Sequence, residues 1–394
     1  MKNTVYADHA ATTPLLPEAL EAMLPWLMDG FGNPSSLHSF GRKARKAVEE
    51  ARAIVAKCIG AAPEEIFFTS GGTEANNWVV KGTTGRLLVS SYEHHSVLNA
   101  ARSEARRGRK AFIVQPSGHG IVGARQLKAT LDAISQTGLP HPVKSADSPR
   151  PNNAGLVSIM AAQNEIGTVN PVKALCAEAH SRGFLFHADA VQAVGKIPVN
   201  VREWGIDHLS ASAHKFGGPK GVGLLYSKDG KTPNRLLDGG TQESGMRAGT
   251  ENVAGIVGMA AALQTSFARI DESMANLRLL ASELAGEICD LFPDAGVIGS
   301  PKPFERVPGF VAIAIPGHPS DGMLHILDMK GIAVSAGAAC NSKETKISHV
   351  LKTIGISDKA ARCTLRISLG PENTAKDVER ILSAFRAIKK TNSP

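Results

Sequence analysis

The chain of 394 residues has only five cysteines, three tryptophans and three tyrosines. Its cysteines, Cys58, Cys176, Cys289, Cys340 and Cys363, are odd in number and widely spaced, with no Cys-x-x-Cys pair. That usage argues against a disulfide framework or a cysteine-rich zinc cluster, and no metal site is expected. No uninterrupted apolar run approaches the ~20 residues that a membrane helix requires, so no membrane association is expected. The opening residues 1–13 lack both an apolar signal core and an Arg/Ser-rich transit composition, which reads as a cytoplasmic protein. Interleaved aromatics are also missing from the two basic clusters, Arg42-Lys43-Ala44-Arg45-Lys46 and residues 102–110. Both therefore read as solvated helix faces, and direct nucleic-acid binding is not expected despite a net charge of +8.

What is abundant is glycine, 39 residues, about a tenth of the chain against a usual ~7%. Glycine-rich turns beside strands let the backbone approach a ligand closely. Strand-like runs at 65–69, 86–90, 111–115, 156–161, 184–188, 208–212 and 222–226 alternate with helix-period segments at 73–81, 94–108, 124–136 and 171–182. Such alternation predicts a mostly parallel α/β sheet with helices on both faces. A further helix is expected over 38–59, where Ala44, Ala47, Val48, Ala51, Ile54, Val55 and Cys58 recur at helical spacing before Gly60. After about residue 252 a long Ala/Leu-rich helical stretch to 292 is followed by strands at 310–315, 332–335 and 364–369 and helices at 320–330 and 374–389. This α+β texture predicts a smaller domain. The domain reading is a large α/β domain over 13–252, with 1–12 and 253–394 forming the small one. Residues 138–155 carry four prolines and no periodicity and read as a mobile surface insertion.

Three strand ends carry candidate chemistry. In Phe68-Thr69-Ser70-Gly71-Gly72-Thr73-Glu74 a strand ends, two glycines turn the chain and a helix opens; free amides there and the Thr73 hydroxyl suit a phosphate. A plain N-capped helix would look the same. Asp189 stands at the C-terminal edge of the run 184–188, where open α/β sheets bind ligands and where a carboxylate can pair with a protonated ring nitrogen. A capping aspartate is the bland alternative. Lys215 follows the next strand and precedes Gly217 and Gly218; a lysine in such a turn can form a Schiff base once desolvated. Cys340, among small residues from Ser335 to Ser342, differs from Cys58, Cys176 and Cys289, which lie in helical runs and read as packing residues. Cys363, just before a strand, is ambiguous.

A phosphate cup, an acid for a pyridine nitrogen and a Schiff-base lysine together describe pyridoxal 5'-phosphate. Around them stand Tyr6-Ala7-Asp8-His9-Ala10-Ala11-Thr12-Thr13, Gly32-Asn33-Pro34-Ser35-Ser36, Glu93-His94, Asn164-Glu165-Ile166-Gly167, Gly245-Met246-Arg247-Ala248-Gly249-Thr250-Glu251-Asn252 and Leu365-Arg366-Ile367-Ser368-Leu369-Gly370. On these blocks, which run through nearly the whole chain, the sequence resembles the NifS/IscS-like cysteine desulfurases of the class-V aminotransferase family. The resemblance implies the aspartate-aminotransferase fold (fold type I), with pyridoxal 5'-phosphate as cofactor and L-cysteine as substrate. Lys215 would hold the cofactor and move the substrate α-proton. Asp189 would pair with its ring nitrogen and Gln192 with its ring hydroxyl, while His94 would stack on the ring. Gly72, Thr73, Ser212, His214 and, from a partner subunit, Thr250 would bind the phosphate. Asn164 and Arg366 would take the substrate carboxylate, and Cys340 would be the nucleophile that accepts sulfur as a persulfide.

Three departures from the usual family pattern stand out. Alanine replaces serine near Cys340, His9 stands where asparagine is commoner, and the insertion at 138–155 is extra. The spacing from Cys340 to Ser348-His349-Val350-Leu351 resembles the class with a long cysteine loop, about 335–347. The resemblance further implies a homodimer and a protein sulfur acceptor such as an iron–sulfur scaffold. Selenocysteine lyase or another pyridoxal-phosphate lyase or aminotransferase is the alternative enzyme reading, since these chemistries need Lys215 but not Cys340. A non-catalytic scaffold is a third reading, opposed by the intact Lys215, Asp189 and Arg366 set.

Overall fold

A computed structural model describes residues 4–135, 155–336 and 347–391. Cys340 and, except for Gly155, the insertion expected at 138–155 lie outside the described residues. The strands, in chain order, are β1 (Val5–Tyr6), β2 (Ile66–Thr69), β3 (Leu87–Ser90), β4 (Ala111–Val114), β5 (Leu156–Ser158) and β6 (Leu185–Asp189). They continue with β7 (His208–Ser212), β8 (Gly223–Ser227), β9 (Gly296–Val297), β10 (Phe310–Ala314), β11 (Ile332–Ala333) and β12 (Thr364–Ser368).

Seven of them form the main sheet in the order β2-β8-β7-β6-β5-β3-β4. From β7 to β4 the pairings are parallel, and only β8 runs against its neighbours. β3, β5 and β7 bury every residue, as strands covered by helices on both faces must. The helix Ser39–Ile59 forms as its periodicity predicts, burying Ala44, Ala47, Val48, Ala51 and Val55. It stops at Gly60, whose φ of 72° is the left-handed conformation that glycine adopts without penalty. A second, three-stranded antiparallel sheet, β12-β10-β9, and the parallel pair β1-β11 make the smaller layer.

Packing divides the helical stretch in the later part of the chain. The helical stretch read over 252–292 consists of two helices, Val253–Ala268 and Ile270–Leu291, bent by 69°. Ile256, Met259 and Leu263 of the first bury in the core of the large sheet, whereas Leu277, Leu280, Leu284 and Ile288 of the second bury in the core of the small one. A straight helix could not present these stripes to two cores, so the chain turns at Arg269. The helix Val253–Ala268 thus packs with the large layer, while the second core takes Val5 and Ala7 from the N-terminal segment and resumes at Leu277. It also packs on Pro17–Met28, a helix with no counterpart in the sequence reading. Among the described residues no single helix is long and apolar enough to cross a membrane.

Candidate active site

A cavity of about 590 Å³ opens where the C-terminal ends of β6 and β7 face the small layer. Its wall includes Gly72, Thr73, His94, Asn164, Asp189, Gln192, Ser212, His214, Lys215 and Arg366. Thr250 does not line it and is exposed.

Asp189 ends β6 and is 3% exposed. Its Oδ1 accepts the Val191 amide at 3.0 Å, and its Oδ2 accepts the Asn76 side-chain amide at 2.7 Å. Asn76 also donates to Ser96 Oγ (2.9 Å), while its own Oδ1 is buried without a partner among the described residues. His94 caps the helix His95–Arg106, and its Nδ1 accepts the Ser96 amide, leaving the proton of the neutral ring on Nε2. Burial holds the His94 pKa below the ordinary value, with the Asp189 charge opposing and His95 and Lys215 adding to the shift. Asn76 and Ser96 thus fix Asp189 and His94 relative to one another. The sequence reading gave them no role, although Asn76 follows Thr73 by three residues, the spacing that puts both near one helix face.

Lys215 closes the short turn Ala213–Lys215 that follows β7. Its Nζ donates to the carbonyls of Ala10 (2.7 Å) and Ala11 (2.6 Å). Gln192 donates to the same Ala10 carbonyl (2.8 Å) and accepts from Lys196 Nζ (2.7 Å). Burial, with the charges of Lys215 and Arg366, pushes the Lys196 amine far below its ordinary pKa. His214 Nδ1 lies 3.1 Å from Thr12 Oγ1, and burial beside Lys215 lowers its pKa to about 4, so the ring is neutral. The segment 9–12 therefore touches Lys196, Lys215 and His214.

The cup at the start of the helix Gly72–Gly82 fits a phosphate. Gly71 has φ 152°, and a Cβ on Gly72 would lie 2.5 Å from Val191 Cγ2 and 3.7 Å from Ser212 Cβ. Only glycine leaves that space open beside Thr73 and Ser212. Glu74 braces the cup by accepting the Ser70 amide (2.8 Å) and pairing with Arg247 (2.8 Å). Burial would raise its pKa, but these hydrogen bonds outweigh it and hold the carboxyl below its ordinary range. Cup, buried carboxylate and lysine amine share one cavity, so the residues present fit pyridoxal 5'-phosphate.

Across the cavity, Arg366 lies mid-strand in β12 with its side chain 3% exposed. Nη1 donates to the Asn164 carbonyl (2.9 Å) and Nη2 to Asp8 Oδ1 (2.8 Å), while buried Nε has no partner among the described residues. Beside it Ser348 Oγ donates to buried Glu165 (2.5 Å), whose pKa burial raises. His95 and His349 also reach the wall, their ring centroids 4.9 Å apart. Of the cysteines described, Cys58, Cys176 and Cys363 are buried and Cys289 half-buried. Burial pushes the Cys58 thiol up to about 11 and the Cys176 thiol up to about 12, which suits packing and not attack. Although Cys176 neighbours a His180–Asp207 pair (2.7 Å), with its sulfur 3.6–3.7 Å from the His180 nitrogens, it donates to the Gly205 carbonyl at 3.2 Å.

Known proteins carry the same frame. A cysteine desulfurase IscS of Dictyoglomus turgidum is 41% identical, the match covering 98% of this chain and 97% of the relative. One of Clostridium botulinum is 39% identical over 99% of this chain and 95% of its own length. A solved NifS-like protein superposes with a TM-score of 0.86 at 33% identity, covering 98% of this chain and all of the other. Residues 5–381 match the aminotransferase class-V family. With that match over nearly its whole length, the chain belongs to the aminotransferase class-V family.

Proposed function

We propose that this protein is an L-cysteine desulfurase that uses pyridoxal 5'-phosphate, moving the sulfur of cysteine onto Cys340 and releasing alanine. The observation that carries the reading is the convergence of Lys215, Asp189 and Arg366 on one cavity, in a chain about 40% identical to cysteine desulfurases along its length. Bound there, the cofactor supplies covalent attachment for the substrate amine and an electron sink for charge developing at its Cα.

The chain's residues do the rest. Asp189, held by Asn76 and Val191, offers a fixed negative charge to the ring nitrogen. Glycines 71 and 72, Thr73, Ser212 and neutral His214 receive the phosphate. Arg366 and Asn164 take the substrate carboxylate, a planar guanidinium being suited to two parallel hydrogen bonds. Lys215 Nζ leaves the Ala10 and Ala11 carbonyls to carry the α-proton. The Cys340 thiolate attacks the substrate sulfur, forming the S–S bond as the C–S bond breaks. The released electron pair and a proton go to the substrate carbon, giving alanine and a Cys340 persulfide. An ordinary thiol has a pKa of ~8.5, so attack at neutral pH needs the site to favour the thiolate. The persulfide then passes to an acceptor protein, of which an iron–sulfur scaffold is the best candidate.

The working unit we propose is a cytoplasmic homodimer. Thr250 is exposed and lies outside this chain's cavity, which supports a role at a second copy's cup. Leu27, Met28, Phe31, Leu37 and Phe40 are exposed apolar residues beside the block 32–36, surface that a partner would cover. Mass spectrometry of the protein after incubation with cysteine tests the reading. One added sulfur on Cys340, lost together with alanine release in Cys340→Ser, is expected. Unchanged alanine release by that variant would remove Cys340 from the mechanism. Sedimentation at low concentration should show a dimer, and a fully active monomer would refute that part.

A further inference from the structure

Arg366 is held from a direction that the function above does not require. Three backbone stretches meet around it. The Ala7 carbonyl accepts the Ser368 amide (2.8 Å) and the His9 amide donates to the Ser368 carbonyl (3.0 Å), pinning residue 8 beside β12. On the other side, Ser335 and Arg366 exchange both backbone hydrogen bonds at 3.1 and 2.7 Å. Asp8 spans the two. Its Oδ1 receives Arg366 Nη2 at 2.8 Å and its Oδ2 receives Ser335 Oγ at 2.8 Å.

With one carboxylate oxygen committed to the serine, Asp8 holds the guanidinium by a single oxygen. The Asn164 carbonyl holds Nη1, and Nε is buried with no partner among the described residues. A guanidinium carries five N–H groups in a fixed plane, so anchoring both Nη atoms sets which edge remains for a ligand. We infer that Asp8 is the positioning residue for the substrate carboxylate: it orients Arg366, which lines the cavity, so that the N–H groups not bonded to Asp8 or Asn164 remain for an α-amino acid. The inference rests on the assignment of Arg366 to that carboxylate.

The test compares L-cysteine with cysteamine, which has the same amine and thiol but no carboxylate. Each is titrated into holoenzyme, and the rapid absorbance change of the bound cofactor gives Kd; steady-state turnover of cysteine gives KM and kcat. Asp8→Ala should raise Kd and KM for cysteine by about 10-fold or more, the size expected for disturbing a charge-assisted buried contact. Its kcat should stay within about threefold, since Lys215 is untouched, and cysteamine should bind as before. Asp8→Asn, which keeps the shape and loses the charge, should fall between parent and Asp8→Ala and guards against loss of fold. Equal weakening for both ligands would overturn the inference by reducing Asp8 to a structural part. Unchanged or tighter cysteine binding would overturn it too, the latter by making Asp8 a competitor. Arg366→Lys separates the two levels: it should weaken cysteine and spare cysteamine. If it does not discriminate, the Arg366 assignment fails and Asp8 falls with it. Discrimination by Arg366→Lys without discrimination by the Asp8 variants would sink the Asp8 role alone.

Discussion

The two walls of the cavity are built by different means. On the large-sheet side, Asp189, Ser212 and Lys215 come off the ends of adjacent parallel strands, and part of their support is local. Asp189 bonds the amide two residues on, and His94 that of Ser96. On the small-layer side, Arg366 sits mid-strand and is held by Asp8, 358 residues away in sequence. The first wall is a property of strand–turn–helix units that could each be recognised alone. The second exists only where the two ends of the chain meet. The substrate side therefore depends on how the two layers dock.

Breaking the first wall should have the largest effect. Lys215→Ala removes the amine from the cofactor side, so turnover should fall to background and the visible absorbance of the attached cofactor should disappear. Alanine formation at the parental rate would refute the assignment. Next comes the second wall. Arg366→Lys keeps the charge but loses the planar fork, so KM for cysteine should rise by about 30-fold or more while cofactor absorbance is retained. Loss of cofactor in that variant would mean that the walls are not separable.

A smaller effect is expected from Asn76→Ala, which removes a 2.7 Å donor from buried Asp189. Cofactor retention, measured by dialysis and absorbance, should weaken by roughly tenfold, while KM for cysteine changes little in loaded enzyme. The smallest effect concerns the frame beneath both walls. His187 in β6 bridges Ser158 of β5 (2.8 Å) and Ser210 of β7 (2.9 Å), and burial drives its pKa down to about 3. The unfolded chain protonates this histidine near its ordinary 6.5, the folded one only near 3. Stability is therefore full above about pH 6.5 and falls as pH drops towards 3, because there the unfolded state binds more protons. The urea midpoint should decline between pH 7 and 5, and His187→Gln should flatten that decline by about one proton's worth of slope. An identical pH dependence in the variant would show that other groups carry it.

The difference between the walls also explains which residues could be read in advance. Asp189 and Lys215 announce themselves because each follows an apolar run and stands at a strand end, a position with chemical meaning in any α/β sheet. Gly71 and Gly72 do so because a turn before a helix needs them. Asn76 was within reach, one helical turn past Thr73. Asp8 was not. Nothing in the first thirteen residues says that residue 8 will lie against β12, because register between strands hundreds of residues apart leaves no local trace. The same holds for Arg247, whose partner Glu74 is 173 residues away and braces the cup from outside.

By itself the sequence determined the alternating strands and helices, the stop at Gly60, the ligand-bearing ends of β6 and β7, and the family to which these motifs belong. Those are consequences of periodicity and of residues whose backbone or side-chain chemistry acts within a few positions. Only the tertiary structure decided that β8 runs against its neighbours, that the chain bends at Arg269 to serve two cores, and that Asp8 and Ser335 flank Arg366. An apolar stripe states that a helix must be buried but not against what. A buried guanidinium states that it needs acceptors but not which ones. Both answers come from the docking of one layer on the other.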